Sequence, residues 1–230
     1  MSDDPLARLE SEHHSVAGTR LLFQEQLAGM DAALVEVATE VGDAILPVTR
    51  AFLEADAHTA MSWINALAQV GRRCPALEER CYEILALQAP VAGDLRRVVA
   101  VLRCVADVQR SAALLRHVAE SLTWVHPPSM PEDMRTTIAH LGAVSADIFG
   151  RAIEAWRRHD GLAASELMEL DDQVDLLHKI LLTDLYTGQQ SMEEAVSLAL
   201  VARYYERIAD HGVEMARQVT YFLTGDRVEG

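Results

Sequence analysis

The stretch DVQRSAALLRHVAESL (Asp107–Leu122) returns in outline as YYERIADHGVEMARQV (Tyr204–Val219), 97 residues further on, with Arg110 against Arg207, Ala112 against Ala209 and Ala119 against Ala216. A repeat of this length is too long for a solenoid unit and points to a duplicated domain. Whatever one half folds into, the other should fold into as well. The segments between chain breaks are helical in period. In the last of them Leu198, Val201, Tyr205, Ile208, Gly212, Met215, Val219 and Phe222 recur in steps of three and four, which is a seam facing other helices. A stripe of Ala199, Ala202, Ala209 and Ala216 lies beside it and permits close approach.

Glycine and proline mark the breaks. HPPSMPED (His126–Asp133) divides the chain nearly in half, and other breaks fall near Asp56, Leu87–Asp94, Arg157–Gly161 and Tyr186–Ser191. Six helices are predicted, roughly over 20–54, 58–88, 93–124, 132–158, 162–187 and 192–224. Pro75 should kink or break the second. The fold class is therefore all-α, two tandem three-helix bundles related by internal duplication. Only 5% of residues are aromatic, and Ala, Leu and Val dominate, which also favours packed helices over sheets.

The net charge is −15, from 20 basic and 35 acidic residues. That balance argues against nucleic acid and anionic lipid surfaces and is compatible with a cation or a basic protein partner. The three cysteines, Cys74, Cys81 and Cys104, form no CxxC motif and make a poor disulfide framework, so a reducing compartment is expected. The N-terminus lacks the apolar core of a cleavable signal, and no apolar run reaches membrane-spanning length. A cytoplasmic location with no transmembrane segment is the reading.

Within the apolar sixth segment, Glu206 and Asp210 stand four residues apart and project together. One segment earlier, Asp171 and Asp175 repeat that spacing, with Asp172 beside them. Carboxylates gathered out of water repel and lose hydration, so arginines, protonation or a cation must compensate. Helical bundles do build carboxylate metal sites from adjacent helices. Mg and Mn prefer oxygen, while Fe and Zn would also accept His178 or His211. Arg203 and Arg207 could instead pair with Glu206 and Asp210 and need no ion. The Glu-x-x-His pairs of dinuclear carboxylate enzymes are missing apart from Glu10–His13 near the N-terminus, and no GxxxxGK, GxGxxG or GxSxG is present. A metal-dependent hydrolase or oxidase is the reading from a different class, with no acid/base pair visible outside the carboxylates themselves.

At these residues LVARYYERIADHGVEMARQVTYFLTGD (Leu200–Asp226) resembles the signature helix of the PhoU family of bacterial phosphate-uptake regulators. LQAPVAGDLRRVVAVLRCVADVQR (Leu87–Arg110) resembles the matching stretch of the first half, and TRLLFQEQLAGM (Thr19–Met30) the usual start. The resemblance implies an extension over 1–18, one three-helix bundle over 19–126, a linker at 127–131 and a second bundle over 132–226. It implies a metal cluster on each bundle, built around a Glu/Asp-x-x-x-Asp motif; in the second half Glu206 and Asp210 match that motif and Asp171 and Asp175 match the acidic positions one helix earlier, with Asp172 beside them. It implies regulation, not catalysis, through a cytoplasmic subunit of a phosphate ABC transporter and a sensor histidine kinase, and leaves room for a homodimer. The first half departs from the pattern: Gln109 and Ala113 occupy the motif positions, and no Asp or Glu lies between Asp56 and Glu78. A single metal site, in the second half, is therefore expected, with a metal-free scaffold of diverged regulatory role as the alternative. Asp94, before an apolar run, is read as a helix N-cap.

Overall fold

The computed structural model describes residues 5–227, with side chains placed from Arg20 onward. Of the expected extension, residues 1–4 lie outside the described residues. Six helices follow: α1 (Pro5–Leu53), α2 (Ala57–Gln88), α3 (Ala92–Glu120), α4 (Glu132–Arg158), α5 (Ala163–Thr187) and α6 (Met192–Thr224). Between α3 and α4 the chain makes two short 3-10 turns, Ser121–Thr123 and Pro127–Ser129. No strand occurs among the described residues.

Local chemistry sets the helix ends. The Asp56 carboxylate accepts from the backbone N–H of Thr59 at 3.0 Å and opens α2. Ser191 and Glu194 form a reciprocal capping box at the start of α6, and Gly225, at φ 88°, closes that helix in the left-handed region. Asp94 is not the cap of α3; Val91 holds that position, and Asp94 lies in the first turn, where a carboxylate favours the helix dipole.

Pro75 does not break α2, which runs through it. Proline leaves the carbonyl four residues back without its helical donor. That carbonyl belongs to Gly71, and the Gln109 side chain donates to it from α3 across 3.4 Å, a long bond that still supplies a partner. The residue standing in the first half where Glu206 stands in the second is thus engaged with the backbone.

Helices α1–α3 form one bundle and α4–α6 the other, and they meet through α1 on α4 and α3 on α6. Each third helix consequently has three neighbours. All eight seam residues of α6 are buried. Glycines let the helices close up: a Cβ on Gly142 would come within 2.7 Å of the Thr49 methyl, and one on Gly212 within 3.3 Å of the Phe149 backbone.

Polar ties add to the packing, one between the bundles through Thr49 of α1 and one inside the second bundle through Ser145 of α4. The Thr49 and Tyr205 hydroxyls lie 2.7 Å apart, and Ser145 donates to the Tyr205 carbonyl at 3.2 Å. Within the first bundle the Arg97 Nε donates to the buried Asp31 at 2.6 Å. Burial still raises the Asp31 carboxyl above its usual range, against the pull of Arg97.

Candidate functional site

Helices α5 and α6 are antiparallel neighbours, so the acids that lie apart in sequence come to one face. Their depth follows from the seam. Ala202, Tyr205 and Ala209 are buried, which turns Glu206 to the shoulder of the helix and Asp210 out to solvent. Asp171 and Asp175 are half-buried and Asp172 is exposed. The face is a sloping margin of the bundle, not an enclosed pocket.

Glu206 is the innermost, its side chain 13% exposed. Its Oε1 accepts from Arg203, one turn earlier on α6. Its Oε2 lies 3.4 Å from the His178 Nδ1 of α5, near enough for attraction but without hydrogen-bond geometry, and that oxygen is otherwise buried and unpartnered. Asp175 turns toward Lys179 at 3.9 Å.

The remaining repulsion appears as proton affinity. Burial first, and then the fields of Asp210, Asp175, Asp172 and Glu206, push the Asp171 carboxyl up to about 6. Asp210, more exposed than Glu206 but still partly sheltered by the helices, is raised by that burial and by Glu206, against the opposing fields of Arg203 and Arg207.

This arrangement corrects the expectation of a divalent or trivalent metal ion (Fe, Zn, Mn or Mg). Among the described residues no group of three or more His, Cys, Asp or Glu side chains is placed to hold one. A hard cation needs several oxygens converging on one point at about 2.0–2.6 Å. Here the acids differ in exposure, from the mostly buried Glu206 to the exposed Asp172 and Asp210, and the Glu206 Oε1 is taken by the Arg203 guanidinium. Of the compensations open to the sequence, arginine pairing is the one the geometry supports.

His211 does not join the face. Its Nδ1 meets the Ser111 hydroxyl of α3 at 2.8 Å in the seam between the bundles. Burial, aided by Arg207 and Arg110, depresses the imidazole to about 4, so it is neutral at pH 7. Asp107 lies 3.9 Å from its Nε2 and accepts from Arg110 at 3.2 Å. Hydroxyl, imidazole and carboxylate in sequence evoke a hydrolytic triad, but Ser111 is wholly buried and the imidazole–carboxylate gap is too long for a hydrogen bond. The cluster is a polar clasp. Sequence reading missed it, although the repeat carried a signal: Ser111 and His211 fall opposite the apolar Ile208 and Leu114. Ala113 contributes no polar group, so the first half has no counterpart of the acidic face.

Both halves match the PhoU domain, over residues 34–122 and again over 138–219. The chain belongs to the PhoU family. It is 37% identical over 209 residues to the phosphate-specific transport system accessory protein PhoU homolog 2 of Mycobacterium tuberculosis, covering 90% of this chain and 98% of that one. It is 31% identical over 158 residues to a PhoU homolog of Deinococcus radiodurans, covering 66% and 72% of the two chains. The fold is that of the phosphate transport system regulatory protein PhoU of Streptococcus pneumoniae, with a TM-score of 0.81 at 20% identity over 90% of this chain and 99% of that one. The PhoU crystal structure from Pseudomonas aeruginosa gives 0.80 at 23% identity, over 89% and 100%. The names of these PhoU relatives describe accessory and regulatory proteins, and none describes a reaction. Among the described residues no helix is long and apolar enough to cross a membrane.

Proposed function

We propose that this protein regulates phosphate uptake and phosphate-starvation signalling as a metal-free helical scaffold in the cytoplasm, acting through contacts with other proteins. The observation that carries this reading is the PhoU-domain match in both halves, alongside relatives named as accessory proteins of phosphate transport. The partners that fit are a cytoplasmic subunit of a phosphate ABC transporter and a sensor histidine kinase.

The carboxylates then take a different role from coordination. Asp171, Asp172, Asp175 and Asp210 form an acidic contact face for basic side chains of a partner, with Glu206 beneath them tied to Arg203. Support comes from their grouping on one margin of α5 and α6 and from the mutual fields that raise Asp171. A partner's Lys or Arg would relieve that repulsion, and the association would weaken with added salt.

Deleting the gene should leave phosphate-starvation genes switched on in phosphate-rich medium. Unchanged expression would overturn the regulatory reading. Complementation with Asp171→Asn/Asp172→Asn/Asp175→Asn should restore repression poorly while the protein stays folded. Full complementation would discard the acidic face and leave the regulatory role standing.

A further inference from the structure

Away from the acidic face, a groove of about 580 Å3 runs between the end of α3 and the first half of α6. Trp124, Met192, Val196 and Leu200 line it and stand 45–80% exposed, although each is large and apolar. Three of them form a stripe at four-residue spacing on α6, which Tyr204 continues. From Met192 to Tyr204 that stripe rises about 18 Å, at about 1.5 Å per residue. Water against such a continuous apolar strip is unfavourable, and an exposed apolar patch of this kind on a folded chain marks an interaction surface.

The charge of the groove selects its occupant. Glu120 and Glu193 are among its lining residues, and no Lys or Arg is. Glu193 makes no ion pair among the described residues, while Glu120 is held by Arg116 at 3.3 Å and His117 at 2.9 Å. At one end His117 and Tyr204 face each other with ring centroids 5.7 Å apart, and Trp124 offers a further aromatic surface suited to a cationic side chain. A second copy of this chain would bring the same carboxylates against these, between molecules of net charge −15. An anionic lipid surface is opposed for the same reason.

We propose that this groove is a docking site for a basic amphipathic helix of a partner protein. The helix is about three turns long, matching the stripe. It lays apolar side chains at i, i+4 and i+7 or i+8 against Met192, Val196 and Leu200 and sets Lys or Arg beside Glu120 and Glu193. The inference takes from the proposed function only that the partner is a protein. It does not depend on phosphate being the signal or on the acidic face of α5 and α6.

The test uses the full chain carrying Trp63→Phe, so that the groove's Trp124 reports together with the buried Trp156. The probe is a synthetic 15-residue helical peptide with Leu at the anchor positions and Lys at the flanks. Saturable binding with a change in tryptophan emission is expected. Val196→Glu/Leu200→Glu should weaken it at least tenfold, with an unchanged circular dichroism spectrum. These substitutions add negative charge, so non-specific attraction of a cationic peptide would instead increase. Glu193→Lys should weaken binding several-fold, and a peptide with Glu in place of Lys should bind at least tenfold less. Equal affinity for the two peptides, or binding indifferent to the groove variants, would overturn the proposal. So would self-association of the unliganded chain that Val196→Glu/Leu200→Glu abolishes, because the occupant would then be a second copy.

Discussion

Replacing Gly142 with alanine should expose how tightly the two bundles are keyed together. The new Cβ would lie within 2.7 Å of the Thr49 methyl and 3.0 Å of its Cβ, where carbon–carbon contacts are favourable only near 3.5–4.0 Å. Either α1 and α4 move apart or Thr49 turns, and turning breaks its 2.7 Å contact with the fully buried Tyr205 hydroxyl. Overpacking costs about 1–3 kcal/mol, and an unpartnered buried hydroxyl about 1–3 kcal/mol more. Alanine returns about 1 kcal/mol of helix propensity. The expected net loss is about 1–5 kcal/mol, centred near 3 kcal/mol. Thr49→Ala alone should cost about 2–3 kcal/mol, because it also strands Tyr205. In the double variant the obstructing methyl and hydroxyl are gone, only the 3.0 Å contact with the Cβ at position 49 is left to relax, and the Tyr205 bond is already lost. Gly142→Ala should then cost less than about 1 kcal/mol, giving a coupling of about 2 kcal/mol. Urea denaturation of the four proteins, compared through midpoint and slope, measures the cycle. Losses that add within about 0.5 kcal/mol would refute the reasoning, since independent sites behave that way.

The remaining predictions concern charge. Burial, and secondarily Glu214, raises the Asp107 carboxyl from 3.8 to about 6 against the pull of Arg110 and Arg207. A carboxyl raised on folding adds stability that is complete below about pH 4 and lost as pH climbs through 6. At about 1.4 kcal/mol per pKa unit the loss is on the order of 2–3 kcal/mol. Asp107→Asn should remove that part of the decline, and identical pH profiles for the two proteins in urea denaturation would contradict it. On the acidic face, Arg203→Ala should destabilise by about 1–2 kcal/mol, because it strands a mostly buried carboxylate, and adding Glu206→Gln should recover most of the loss. The melting temperature should not respond to a chelator; a chelator-induced drop would instead mean that a cation shares the compensation.

Periodicity and duplication were legible in the chain because they are local or nearly so. The apolar steps of α6 required one buried seam, and the repeat required two such units, so helix number, order and most ends follow from neighbouring residues alone. Asp56 and the Ser191–Glu194 pair opened their helices through bonds that reach only three residues. Proline was harder to judge. At Pro75 the cost depends on whether the orphaned Gly71 carbonyl finds a donor, and that donor, Gln109, is 38 residues away.

The candidate site divides along the same line. Spacing alone gathered Glu206, Asp210, Asp171, Asp175 and Asp172 on adjacent helices, because an i, i+4 pair shares a face whatever surrounds it. Depth was not encoded there. The packing of α6 against α3 and α4 decided that Glu206 sits on the shoulder and Asp210 on a more exposed flank, and the packing of α5 on α6 brings no three of the described acids together as a metal site. Whether Arg203, a proton or an ion offsets a carboxylate depends on distances of a few ångströms between helices, since desolvation and Coulomb energies change steeply over that range. The same holds for Ser111 and His211, 100 residues apart in the chain and 2.8 Å apart across the seam. Sequence sets which residues share a face; only the packing of one helix on another sets what that face meets.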